Sequence, residues 1–351
     1  MKKELLMGTA LVGTLGAASV AEAVTMSMSG NHTTGIEFES ATSGTDLRSQ
    51  INDNNFSLSL SETTDGGMTI SSSMAIVNEV SAAGGTGTDM DAGFSLAFPG
   101  GSKLDVINAG NASGSHDISV PASAGGEGIT VTTTNNAPTG LDFATASTVY
   151  GVEFHTPADF MVDGLSMSFS ASTDDNASNA ATYSVDGHYA LGGTYVSDLG
   201  DSAVTVGFGI SQTEGAKTGT DPSNDEGGVH IGISAVTGDL TVAVGFADGD
   251  SIEDTATTEV DGDVMKIGAK YVSGDFTFNV GHTSGEANDS TTFGTPGTTT
   301  DSYEKTSASV SYAVAAGVTA NLGYSAVDSA AEGVSDSTDG SAWYIGAAMS
   351  F

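Results

Sequence analysis

The sequence predicts an all-β protein: a transmembrane antiparallel β-barrel of about sixteen strands, with short periplasmic turns and long extracellular loops. Three observations predict it. Apolar and polar residues alternate at period two along most of the chain, and short and long connections follow one another in strict order. After the N-terminus, no apolar run approaches the ~20 residues that a spanning helix needs.

The chain opens with an export signal. Lys2 and Lys3 make a positive start, Leu5 to Val20 is apolar or small, and Ala21-Glu22-Ala23 supplies the small residues of a cleavage site. Residues 1–23 are therefore expected to be removed, leaving residues 24–351 as one barrel domain. The sequence has no Cys, so an exported chain must hold together by packing and backbone pairing rather than disulfides. Lys and Arg total 8 against 44 Asp and Glu, a formal net charge of -36. That balance excludes a nucleic-acid partner, because phosphate binding requires clustered bases. Acid-rich disorder is disfavoured by the regular alternation of apolar residues.

Strands are expected near 24–39, 55–63, 68–79, 90–98, 102–109, 147–155, 164–173 and 182–197. A second eight follow near 201–213, 227–237, 239–247, 262–273, 275–283, 302–314, 317–327 and 341–351. Phe56, Leu58 and Leu60 alternate with Ser57, Ser59 and Ser61, and Val204, Val206, Phe208 and Ile210 with Thr205, Gly207, Gly209 and Ser211. Such segments make strands with one apolar and one polar face. The short connections, such as Asp65-Gly66-Gly67, Gly238-Asp239 and Gly274-Asp275, carry the residues that tight turns demand. The long ones run near 40–54, 80–89, 110–146, 174–181, 214–226, 248–261, 284–301 and 328–340. Tight turns on one rim and long loops on the other are the layout of a barrel in the outer membrane of a Gram-negative bacterium. A ring of this size is too wide for side chains to fill. The polar face then meets water, and the apolar face meets lipid, where closed pairing satisfies the backbone. Tyr183, Tyr189, Tyr195, Tyr271, Tyr303, Tyr312, Tyr324 and Trp343 are candidates for the interfacial girdles.

The last segment, SAWYIGAAMSF, places Trp343, Ile345, Ala347, Met349 and Phe351 on one face and ends on an aromatic residue. It resembles the final strand of bacterial outer-membrane general porins, and VTMSMSG from Val24 resembles their opening strand. The resemblance implies that Val24 and Phe351 close and help assemble the barrel, the terminal strand being read by the barrel-assembly machinery. It implies a homotrimer, set among lipid and lipopolysaccharide, that passes small solutes and ions. It also implies a third long loop folded into the lumen. Here that loop, about residues 110–146, is the longest, and contains Asp117, Glu127 and Asp142 but no Lys or Arg. A loop of that length is usually functional.

The porin resemblance implies a basic wall facing the acidic loop. In this chain Arg48 falls in the first long connection and Lys103 near a tight turn, which leaves Lys266, Lys270 and Lys305 as the lumen bases by parity. With these acids and Lys residues as the candidate constriction, and with acids crowding the mouth, a passive and cation-selective pore is expected. Asp248, Asp250, Glu253 and Asp254 form a candidate Ca²⁺ cluster in the sixth long loop, though without EF-hand spacing. No other cofactor is implied. The six His are scattered and no nucleophile or metalloprotease motif is present, so no enzyme is expected. Two other readings share the composition: an acidic, adhesive β-rich surface protein, and a substrate-specific barrel channel.

Overall fold

The computed structural model describes residues 24–41, 47–80, 86–106, 111–122, 151–172, 184–216, 224–253, 260–289, 296–330 and 338–351. Sixteen strands are described. The first eight are β1 (Thr25–Ala41), β2 (Leu47–Thr63), β3 (Thr69–Val80), β4 (Thr86–Ala97), β5 (Lys103–Val106), β6 (Gly151–His155), β7 (Leu165–Ser172) and β8 (Ser184–Asp198). The others are β9 (Ser202–Ala216), β10 (Asn224–Thr237), β11 (Leu240–Glu253), β12 (Val260–Ser273), β13 (Phe276–Asp289), β14 (Pro296–Ala315), β15 (Val318–Ala330) and β16 (Thr338–Ser350). Each pairs antiparallel with its sequence neighbours, and β1 pairs with β16 to close the ring. Among the described residues, no helix is long and apolar enough to cross a membrane.

Several strands run past the expected boundaries at the loop end. β2 begins at Leu47, which puts Arg48 on a strand rather than in the first connection, and β11 continues to Glu253. Once a strand leaves the lipid its apolar alternation stops, while its backbone hydrogen bonds do not. Periodicity therefore marks the lipid-facing length, and pairing marks the whole hairpin.

The burial pattern inverts that of a soluble protein. On β7 the serines Ser168, Ser170 and Ser172 are buried while Phe169 between them is half exposed. Along β9 and β10, Phe208, Ile210, Ile231 and Ile233 point outward, and Gly207, Gly209, Gly232 and Ser211 inward. A wall of large apolar side chains is left for lipid. Tyr189, Tyr195, Tyr271, Tyr312 and Trp343 lie on that outer face, where Tyr312 packs on Phe276 at 4.9 Å and Trp343 on Tyr324 at 4.6 Å. Tyr183 lies outside the described residues. Tyr303 does not join the girdle. It faces inward with Ile51, Val327, Ala342 and Tyr344 in a buried cluster on the inner side of the wall. Its parity is that of Ser307, Ser309 and Ser311, and parity decides the face regardless of residue type.

Gly238 and Gly274 turn tight hairpins at φ 55° and 60°, a conformation costly for any residue with a Cβ. At the seam, Phe351 N donates to Gly30 O at 3.0 Å and Gly30 N to Phe351 O at 3.2 Å. From there the register runs from Asn31↔Ser350 to Ala41↔Gly340. Val24 lies before the seam, because Thr25 to Ser29 pair with β2 alone. Strands in a closed barrel are tilted and staggered, so the start of β1 and the end of β16 do not meet end to end.

Candidate functional site

The third long connection leaves β5, and its first described stretch, residues 111–122, folds against the inner wall. It carries a short 3₁₀ turn over Gly114–His116. The turn is held by side chains from several strands. Ala112 N donates to Ser170 Oγ at 3.0 Å, and Ser115 Oγ donates to Glu153 Oε1 at 2.7 Å. The His116 ring is hydrogen bonded at Nδ1 to Thr194 Oγ1 (2.7 Å) and at Nε2 to Ser168 Oγ (2.9 Å). His230 Nε2 donates to Ser113 O at 2.8 Å.

The wall makes room for this backbone by having no side chains there. A Cβ on Gly192 would overlap the Ala112 carbonyl oxygen, one on Gly207 that of His116, and one on Gly268 that of Pro121. These glycines sit next to others in register: Gly192 opposite Gly209, Gly207 opposite Gly232, and Gly268 opposite Gly281. The result is a smooth track from β8 to β13 along which the loop lies. The sequence held this signal as inward-facing glycines at period two, but only the register lines them up.

The predicted residues fall into separate places. Asp117 Oδ1 is 4.0 Å from His230 Nδ1, with its side chain a third exposed. Glu127 and Asp142 lie outside the described residues. Lys266 and Lys305 stand on the inner face, each opposite Thr283. With Val120, Pro121, Ala122 and Tyr303 they border a cavity of about 250 Å³. Lys270 is farther along β12, opposite Asn279. Lys305 also lies beside Glu37, which is almost fully buried on the inner face.

Of the candidate Ca²⁺ cluster, the structure describes the side chains of Asp248 and Asp250. Asp248 and Asp250 lie on β11 rather than in a loop, share the exposed outer face with Phe246, and pair with Asp263 and Asp261. Asp254 lies outside the described residues, as does the Glu253 side chain. An extended strand carries successive same-face acids apart in a row, whereas a coordinating loop curls them around one point.

The inner face holds one arrangement that sequence did not assemble. Asp105 and Glu153 are direct cross-strand partners on β5 and β6, and Lys103 pairs with His155 one step along. Lys103 Nζ is 2.7 Å from Asp105 Oδ2, and His155 Nε2 is 2.9 Å from the same oxygen.

Residues 8–295 match the family described as Gram-negative porin. The chain belongs to the Gram-negative porin family. The solved structures agree with that fold. An anion-selective porin from Comamonas acidovorans superposes with a TM-score of 0.68 at 14% identity, covering 93% of this chain and 100% of that one. The outer-membrane-expressed OmpT of Vibrio cholerae gives 0.64 at 12% identity, over 94% and 99%. Its in-vitro folded trimer form gives 0.63 at 13%, over 94% and 100%. No curated protein sequence matches the chain. The protein is thus an outer-membrane porin, a β-barrel channel and not an enzyme.

Proposed function

We propose that this porin is a passive, cation-selective diffusion pore for small hydrophilic solutes, narrowed by the third long loop. The loop backbone seated on the glycine track carries the reading, because it brings Asp117 and the main chain into a lumen that the wall alone would leave wide. Charge supports the sign. Glu37, Asp53, Asp105, Glu153 and Asp301 share the inner face with Lys103, Lys266, Lys270 and Lys305. Lys103 and Lys305 each have an acid beside them. Lumen acids in excess raise the local concentration of cations. The Comamonas relative, named as anion-selective, makes the sign a matter for measurement. A reversal potential across a planar bilayer under a salt gradient is expected to show preference for K⁺ over Cl⁻. Preference for Cl⁻ would overturn the cation reading while leaving the pore intact.

Export through the N-terminal signal and assembly as a homotrimer complete the proposal. The trimer form of the Vibrio protein supports the second part. Unheated protein in a mild detergent is expected to run at about three times the monomer mass, and a monomer at all concentrations would count against it.

A further inference from the structure

The inner wall beneath the turn of the loop carries a donor set that neither the pore nor the loop anchor uses in full. We propose that Asp105, Glu153 and His155 form a binding site for a divalent transition-metal ion of the zinc type, inside the channel. One ligand atom from each lies within 4.8 Å of the other two. His155 Nε2 is 2.9 Å from Asp105 Oδ2 and 3.6 Å from Glu153 Oε1. Ligand atoms about 2.0–2.2 Å from a tetrahedral Zn²⁺ stand roughly 3.3–3.5 Å apart, a spacing these two distances bracket. One imidazole and two carboxylates suit zinc and its neighbours better than the all-oxygen sites of Ca²⁺ or Mg²⁺.

The residues behind the ligands hold them in place. Ser168 Oγ contacts His155 Nδ1 at 2.8 Å, so with an ion bound the Nδ1–H points to serine and the Nε2 lone pair to the metal. Ser95 Oγ donates to the other oxygen of Asp105, and Ser115 Oγ to Glu153. Three hydroxyls from β4, β7 and the loop thus orient three ligands on β5 and β6.

A second observation points to a cation. Glu153 is only 2% exposed, and among the described residues its partners are the Ser115 hydroxyl and the His155 imidazole. Neither is a fixed positive charge, and an enclosed carboxylate without one is costly. The cation at hand is Lys103, which holds Asp105 instead and is 43% exposed at its side chain. Lys103 is therefore the competitor that an entering ion displaces into the lumen.

That competition supplies the test, which is read in detergent without any current and so does not depend on the conduction reading. Titration of purified, folded protein with ZnCl₂ at neutral pH in a calorimeter is expected to show one site per chain. His155→Ala should weaken it at least tenfold, and Lys103→Gln should tighten it several-fold. Folded barrel is verified by its heat-modifiable gel mobility, and Lys103→Gln serves where His155→Ala fails to fold. Absence of binding in the parent, unchanged affinity in His155→Ala, or weaker binding in Lys103→Gln would overturn the proposal. The second of those outcomes would assign the heat to the acidic rim.

Discussion

Replacing His116 with alanine is expected to loosen the third loop from the wall, seen as increased open-channel current noise and faster cleavage by protease added from the loop side. The ring makes two of the hydrogen bonds that hold the 3₁₀ turn, to Thr194 and Ser168, and is 7% exposed. Losing them takes the ring from the Thr194 hydroxyl and leaves Ser168 with His155 alone, a cost of about 2 kcal/mol, or roughly 30-fold in the balance between seated and loose loop. Ala112, Ser115 and the His230 contact to Ser113 remain, so the barrel itself should keep its stability.

The same side chain predicts a pH dependence. Burial, and then the neighbouring His155 and His230, push the His116 pKa down from 6.5 to about 4. A loose loop takes up a proton more readily than a seated one. The seated form therefore keeps its full advantage above pH 6.5 and loses it as the pH falls toward 4, by an amount on the order of 3 kcal/mol. Current noise in the parent should rise across that window, and His116→Ala should show high noise with no such rise. Noise that is flat with pH in the parent would refute the assignment.

The largest effect on stability is expected at the seam. Gly346 of β16 faces Gly35 of β1, and the ring of Tyr344 lies over both, its hydroxyl donating to Thr34 O at 3.2 Å. A Cβ on Gly346 would overlap both the Tyr344 hydroxyl and the Thr34 carbonyl oxygen. Gly346→Val must therefore expel a fully buried tyrosine or part β1 from β16. Overpacking and the lost burial together should cost about 3–5 kcal/mol. In urea titrations of refolded protein the midpoint should fall accordingly, with much of the sample losing its heat-modifiable form. Gly100 is the control. It stands in a tight turn with open space around it, and Gly100→Val should stay within about 0.5 kcal/mol of the parent. Equal losses in the two variants would show that the seam is not what Gly346 protects.

These effects trace the limit of what could be read from the chain. The alternation of Phe56, Leu58 and Leu60 with serines, and the Gly-Asp turns at Gly238 and Gly274, are local. Each is settled within a few residues by backbone geometry, and together they specified strands, order and which face is greasy. The same locality placed Lys266, Lys270 and Lys305 on the inner face without showing that Lys305 has Glu37 for a neighbour.

Closure decided the rest. The stagger of the ring fixes which residue on one strand stands opposite which on the next, a property of the whole barrel and invisible in any window of sequence. It gathered Gly192, Gly207 and Gly268 into the bed of a loop, brought Tyr303 and Tyr344 together with Ile51 and Val327, and left Val24 short of the seam. It also set Asp105 against Glu153 and within reach of His155, although about fifty residues separate the two strands in the chain. A period of two tells a side chain which way to face, and only the closed sheet tells it whom it meets.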